Sequence, residues 1–83
     1  MQVSYGPFPE PMLVTDIIPG DEWTSDTEMI RIEQIEWHSQ TPEMDAYVRI
    51  HGQIMTGPDR SPRVTRQWTF VVDQELQIVR RPT

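Results

Sequence analysis

Three residue types are missing from the 83-residue sequence: cysteine, lysine and asparagine. The absence of cysteine excludes a disulfide framework and any zinc site built on thiolates. Nothing in the composition indicates an oxidising compartment. The absence of lysine makes all seven basic residues arginine. A GC-rich genome is the simplest explanation of this bias, and avoidance of lysine-directed modification is the alternative.

Long hydrophobic segments are missing as well. Apolar runs such as residues 12–14 and 70–72 are far shorter than the roughly 20 residues that cross a bilayer, so we expect no membrane contact. The N-terminus shows no basic segment followed by an apolar stretch, so we expect no signal peptide. These features predict a cytoplasmic or virion-associated protein with one small core.

Charge is distributed unevenly over a net of −6. Residues 1–45 contain ten acids and one arginine, a balance of −9, whereas residues 46–83 contain three acids and six arginines, a balance of +3. The acidic total argues against non-specific nucleic-acid binding, which depends on neutralising phosphates. The two halves are complementary to one another, which favours contacts between copies of the chain.

The N-terminal segment is rich in proline. Three prolines within residues 7–11 remove backbone donors and favour extended geometry. We therefore predict an extended arm over residues 1–11 and a single β domain over residues 12–83. Residues 12–18 fit two structures, because their β-branched content favours a short strand while their apolar spacing also fits a short helix.

Residues 28–81 predict an antiparallel β-meander. Residues 46–55 alternate apolar and polar side chains without a break, as a half-buried strand does. A loop over residues 56–63, marked by Gly-Pro and Ser-Pro, leads to a third strand over residues 64–72. After a short turn at residues 73–75, Leu76 and Ile78 are predicted to continue the apolar face of Phe70 and Val72 in a fourth strand.

The first strand, residues 28–37, needs a bulge. Its apolar residues change parity at Glu33-Gln34. If Trp37 faces Ala46, one extra residue there, opposite Arg49, returns every apolar residue to one face. The pattern therefore predicts a β-bulge at Glu33-Gln34, with Glu33 in reach of Arg49.

The apolar face of this meander needs a cover. Trp68 is expected to lie beside Gly52 and fill the space of the missing side chain. The N-terminal segment can cover the rest as a fifth strand, which gives a mainly β, four- to five-stranded sandwich or barrel. The alternatives are an α+β domain, with a short helix at about residues 12–18 packed on the sheet, and a second subunit that supplies the cover.

The run from Ala46 to Val79 resembles the terminal meander of NTF2-like (cystatin-like α+β) domains. A long strand, an arginine-bearing loop, the strand Val-Thr-Arg-Gln-Trp-Thr-Phe-Val-Val and the strand Leu-Gln-Ile-Val follow one another in the same way. The resemblance covers about 40% of the chain. The sequence lacks the long N-terminal helices and the acidic and histidine residues that form the pocket of that family, so the resemblance implies a fold and no catalytic residue.

Candidate chemical groups are few. His38 and His51 are the only histidines, and Glu36, Glu43 and Asp45 lie near His38 in sequence. Exposed strand and loop positions explain these residues more simply than a metal site. No nucleophile–base pair or glycine-rich phosphate loop is present. We therefore expect no catalytic residue, no metal and no cofactor.

The remaining pattern is a set of arginines and an aromatic arm. The candidate partner-binding residues are Tyr5, Phe8, Arg60, Arg63, Arg66, Arg80 and Arg81. They predict a non-enzymatic structural or protein-interaction module, of phage or GC-rich bacterial origin, that binds a protein partner or further copies of itself. A small nucleic-acid-binding barrel that uses the arginines, and an inhibitor of a host protein, are the alternatives.

Overall fold

The computed structural model describes residues 8–80 and shows one antiparallel sheet. Its strands are β1 (Glu10–Leu13), β2 (Glu22–Ser25), β3 (Glu28–His38), β4 (Tyr47–Thr56), β5 (Ser61–Val71) and β6 (Glu75–Val79). Their order across the sheet is β1-β6-β2-β3-β4-β5. A mainly β domain is confirmed, but the described part of the chain forms six strands rather than four or five. In place of the short helix considered for residues 12–18, there is a 3₁₀ turn over Val14–Asp16.

The meander consists of β2, β3, β4 and β5, which follow one another as antiparallel neighbours. The predicted last step is wrong, because β6 lies between β1 and β2 and not beside β5. Leu76 and Ile78 do share the apolar face with Phe70 and Val72, which pack against the same buried cluster, but they belong to the β2 side of the sheet and not to the β5 side. In the sheet, β6 therefore extends the apolar face beyond β2 instead of beyond β5.

The sheet curves so that β2 and β5 meet across the apolar face. Trp23 on β2 packs edge to face against Trp68 and Phe70 on β5, with ring centroids 5.4 and 5.3 Å apart. In a flat sheet these strands would lie roughly 14 Å apart, because neighbouring strands are ~4.8 Å apart. The chain thus covers its own apolar face. The buried core cluster comprises Val14, Ile17, Ile32, Val48, Ile50, Leu76 and Ile78.

The predicted bulge at Glu33 is confirmed. Ile32 faces Gly52 and Gln34 faces His51, so Glu33 is the extra residue between two consecutive pairs. The register differs from the predicted one by two residues, because Trp37 pairs two residues further along β4 than Ala46. A shift of two residues keeps every apolar side chain on the predicted face. The bulge is moved away from Arg49, so the predicted Glu33–Arg49 contact is wrong. Arg49 lies 3.9 Å from the Glu36 carboxylate instead.

The predicted pairing of strands that placed Trp68 beside Gly52 is also wrong. Gly52 pairs with Arg66, and Trp68 pairs with Ile50. Gly52 is required by the neighbouring strand β3, since a Cβ at this position would collide with the carbonyl oxygen of Arg31. Glycine here allows two backbones to approach closely.

Strand β1 begins within the segment that was predicted to be an extended arm. Glu10 and Pro11 belong to β1, and Glu10 pairs with Ile78 of β6. The rest of the arm, residues 1–7, lies outside the described residues. Across residues 8–80, no helix has the length and apolar character needed to cross a bilayer.

An ion pair links the buried Asp21 to the exposed Arg80 at the end of the described chain. Asp21 is 2% exposed and accepts hydrogen bonds from Arg80 Nε (2.9 Å), from an Arg80 terminal nitrogen (2.8 Å) and from the Ile18 amide (3.0 Å). The same Arg80 side chain donates to the Asp16 carbonyl at 2.9 Å. The Asp21 carbonyl in turn accepts from the Ile32 amide of β3. Asp21 thus ties the turn before β2 to the end of β6.

The pKa of Asp21 reflects two opposed effects. Burial by itself raises it, but the hydrogen bonds from Arg80 and the Ile18 amide, together with the arginine charge, outweigh burial. The pKa of Asp21 therefore lies below its ordinary value of 3.8. The carboxylate is stabilised in its charged form because it is paired on both oxygens.

Candidate functional site

Strand β5 forms one margin of the sheet, and within residues 8–80 its outer edge has no neighbouring strand. The opposite margin is β1, which has four residues and includes Pro11. Short strands and prolines protect an edge from pairing, because they offer few backbone donors. By contrast, β5 is 11 residues long. The open edge of this sheet is therefore on β5.

Only part of β5 is regular enough to accept another strand. Residues 66–71 pair one for one with residues 47–52 of β4. Before Arg66 the pairing shifts: Ser61 faces Ile54, so the four residues 62–65 lie opposite the single residue Gln53 of β4. Such irregularities twist an edge away from pairing. The outer side of residues 66–71 is called the free edge below.

A groove lies at one end of the free edge, with mostly apolar walls around Met44 and Tyr47 and mixed walls around Gln40 and Asp73. Two open cavities of about 270 and 450 Å³ adjoin there and share Asp45, Ala46 and Val71 in their walls. Met44 and Val71 in this groove are 55% and 52% exposed. The full set of lining residues is Gln40, Met44, Asp45, Ala46, Tyr47, Thr69, Phe70, Val71, Val72 and Asp73.

Sequence reasoning missed this groove. Val71 occupies a position that the alternation of β5 assigns to the polar face, and Met44 lies in the loop before β4. The available sequence signal for the groove was that these two apolar residues fall outside the alternating pattern of core positions. Their proximity depends on the pairing of β4 with β5, in which Tyr47 faces Val71.

The two ends of the free edge carry opposite charges. Arg66 begins the edge, and Arg60 and Arg63 precede it, all three being exposed. Asp73 follows the other end and lines the groove together with Asp45. A partner that lies along this edge meets cations at one end and carboxylates at the other.

Of the predicted aromatic and C-terminal contact residues, two fall outside the described chain. Tyr5 and Arg81 lie outside residues 8–80. Phe8 lies two residues before β1 and is 65% exposed.

The predicted arginines divide into separate groups. Arg80 is itself exposed, but its guanidinium is paired with the buried carboxylate of Asp21. Arg60 lies in the loop before β5, and its Nε donates to the Met55 carbonyl at 3.1 Å. Arg63 and Arg66 lie on β5 itself and are exposed. The structure thus brings two of the predicted residues to the open strand and gives Arg80 a structural contact.

A second polar cluster lies on the outer face of β3 and β4. The Nε2 atoms of His51 and His38 lie 3.2 and 3.6 Å from Glu36 Oε2. His38 stacks on Tyr47 with centroids 4.4 Å apart, and the Arg49 guanidinium lies 5.7 Å from the Tyr47 ring centre. The His51 side chain, and behind it His38 and Arg49, hold the pKa of Glu36 below its ordinary value of 4.5 despite partial desolvation.

The chemistry available to this cluster is that of an ion-pair network. Glu36, His38 and His51 are brought together by the cross-strand register, although in sequence His51 is remote from the other two. Within residues 8–80, no group of three histidine, aspartate or glutamate side chains has the arrangement needed to hold a metal ion. The contact between His51 and Glu36 joins β4 to β3, whereas His38 and Glu36 lie on the same strand.

Comparison with known proteins gives no family for this chain. No protein-family model matches the sequence, and no curated protein matches it.

Proposed function

We propose that this protein is a non-enzymatic protein-interaction module that binds an extended strand along its free edge. The observation that supports the proposal most directly is the open, regular stretch of residues 66–71 on an edge strand of an otherwise self-covered sheet. Strand addition supplies affinity through backbone hydrogen bonds and specificity through side-chain pockets beside the edge.

The neighbouring groove fits this role. Natural edge strands are normally short, charged or covered, yet Val71 at the end of the free edge is about half exposed. The groove that it lines with Met44 and Tyr47 is open to solvent and mostly apolar. An apolar side chain of a bound strand would find contacts there, while the arginines at the other end of the edge favour an acidic residue.

The test is selection of extended peptides followed by mapping of their contacts. Peptides from a displayed random library are selected on the whole protein and then added to ¹⁵N-labelled protein. We expect the amides of residues 66–71 to shift and to exchange more slowly with solvent. Peptides that map to another surface, or a library that yields no binder, would contradict the proposal.

Two valines on β5 provide matched variants. Val71 lines the groove and Val64 lies in the irregular stretch, and both are 52% exposed. Val71→Asp should weaken peptide binding at least tenfold, because it introduces a charge into the apolar groove. Val64→Asp makes the same chemical change outside the groove and should leave binding within about twofold.

A further inference from the structure

We propose that the strand bound at the free edge is β5 of a second copy of this chain, in an antiparallel two-fold pair centred on Thr69. This inference rests on the proposed function and names its partner. The pair would join two six-stranded sheets edge to edge. In such an isologous interface the same patch is used twice, so every contact occurs in duplicate.

The charges of the edge make it self-complementary when it is reversed. Arg66 stands at one end of the free edge, and Asp73 follows the other end. Antiparallel pairing brings the Arg66 end of each copy against the Asp73 end of the other. A parallel arrangement would instead bring arginine to arginine and carboxylate to carboxylate, which is repulsive.

Symmetry restricts the register. In an antiparallel ladder, residues face one another in pairs, which alternate between hydrogen-bonded and non-hydrogen-bonded types. A two-fold axis between two identical strands therefore passes through a pair in which one residue faces its own copy. Thr69 is midway between Arg66 and Val72, and it is exposed and small. With Thr69 facing itself, Trp68 lies across from the second copy's Phe70. Arg66 then comes level with the second copy's Val72, the first residue after its β5, and the turn that contains Asp73 follows directly.

The other edge of the sheet does not offer an equivalent partner. A head-to-tail contact would pair β5 with β1 of the next copy, but β1 has four residues and Pro11 lacks an amide hydrogen. The irregular residues 62–65 likewise limit pairing to the C-terminal part of β5. A closed dimer through the free edge, residues 66–71, therefore satisfies more backbone groups than an open chain of copies does.

Charge reversal tests the pairing with the full chain. Sedimentation equilibrium over a range of protein concentrations should show a monomer–dimer equilibrium for the wild type. Arg66→Glu and Asp73→Arg should each weaken dimerisation about tenfold, because each variant turns two weak attractions into two repulsions. An equimolar mixture of the two variants should form a heterodimer of about wild-type affinity, since both pairs are then attractive again.

Control variants separate this contact from effects on folding or net charge. Arg31→Glu changes the charge by the same amount on β3, away from the edge, and should leave dimerisation unchanged. Thr69→Lys places two cations across the axis and should weaken the dimer at least tenfold. Circular dichroism confirms that each variant is folded.

The outcomes separate the inference from the function on which it rests. A wild-type protein that stays monomeric at millimolar concentration would overturn the dimer, and so would a dimer that ignores both charge reversals. If such a protein still binds selected peptides at residues 66–71, the interaction module stands and its partner is another acidic strand. If neither peptides nor a second copy bind there, both proposals fail.

Discussion

Replacing Asp21 by asparagine should cost about 2–3 kcal/mol of the free energy of unfolding near neutral pH. Asp21 is 2% exposed and accepts three hydrogen bonds, two of them from the Arg80 guanidinium. Asparagine has nearly the same shape, but its amide group presents a donor to a donor and it carries no charge. Hydrogen bonds to charged groups contribute roughly 1.5–3 kcal/mol, and part of this is retained through the remaining carbonyl oxygen.

The loss should depend on pH in a defined direction. The folded-state pKa of Asp21 lies below its ordinary value of 3.8, so the charged pair contributes fully above about pH 4 and is lost as the pH falls further. A protonated aspartic acid then resembles asparagine. The stability difference between wild type and Asp21→Asn should therefore be largest near pH 7 and should shrink below pH 4.

Urea unfolding followed by tryptophan fluorescence measures this difference. With a urea m-value of ~1 kcal/mol/M, the midpoint of Asp21→Asn should fall by about 2 M at pH 7. Glu43→Gln is the control, because Glu43 is an exposed loop residue and loses the same charge. A midpoint difference of the same size at pH 3 as at pH 7 would refute the assignment of the stability to the charged pair.

Three further changes probe the same structure. Arg80→Met leaves the buried carboxylate of Asp21 without its cation, so the pKa of Asp21 measured by NMR titration should rise above 3.8. Gly52→Ala should lower the free energy of unfolding by about 2–4 kcal/mol, because a Cβ meets the Arg31 carbonyl oxygen. The thermal midpoint should therefore fall clearly, and an unchanged midpoint would contradict this geometry. Ile32→Ala removes a fully buried side chain and should cost roughly 2–5 kcal/mol in urea unfolding.

Much of the strand pattern could be predicted from local sequence. The unbroken alternation of β4 and the parity change in β3 predicted two strands and a bulge at Glu33, and both are present. The register itself was two residues out, since a shift by two leaves the same side chains on the same face. Loop length decides between such registers, and the loop before β4 has its own turn, with hydrogen bonds between Thr41 and Met44.

The candidate site was predictable only in part. Arg63 and Arg66 were predicted as partner-binding residues, and the structure places both on the open strand. Arg80 looked equivalent to them in sequence, yet it pairs with Asp21, 59 residues away. Composition and spacing carry no information about which cation meets a buried carboxylate, because that depends on where β6 enters the sheet.

The sequence by itself determined that this chain is a β protein with one apolar face, because side-chain alternation with a period of two follows from the geometry of each strand alone. Tertiary structure decided the path of β6, which crosses to pair with β1 and β2 instead of β5. That crossing places Leu76 and Ile78 in the core beside Val14 and Ile17, and it leaves the outer side of β5 open. Its cause is the burial of Leu76 and Ile78 against residues far away in sequence, and such a global gain cannot be read from any local pattern.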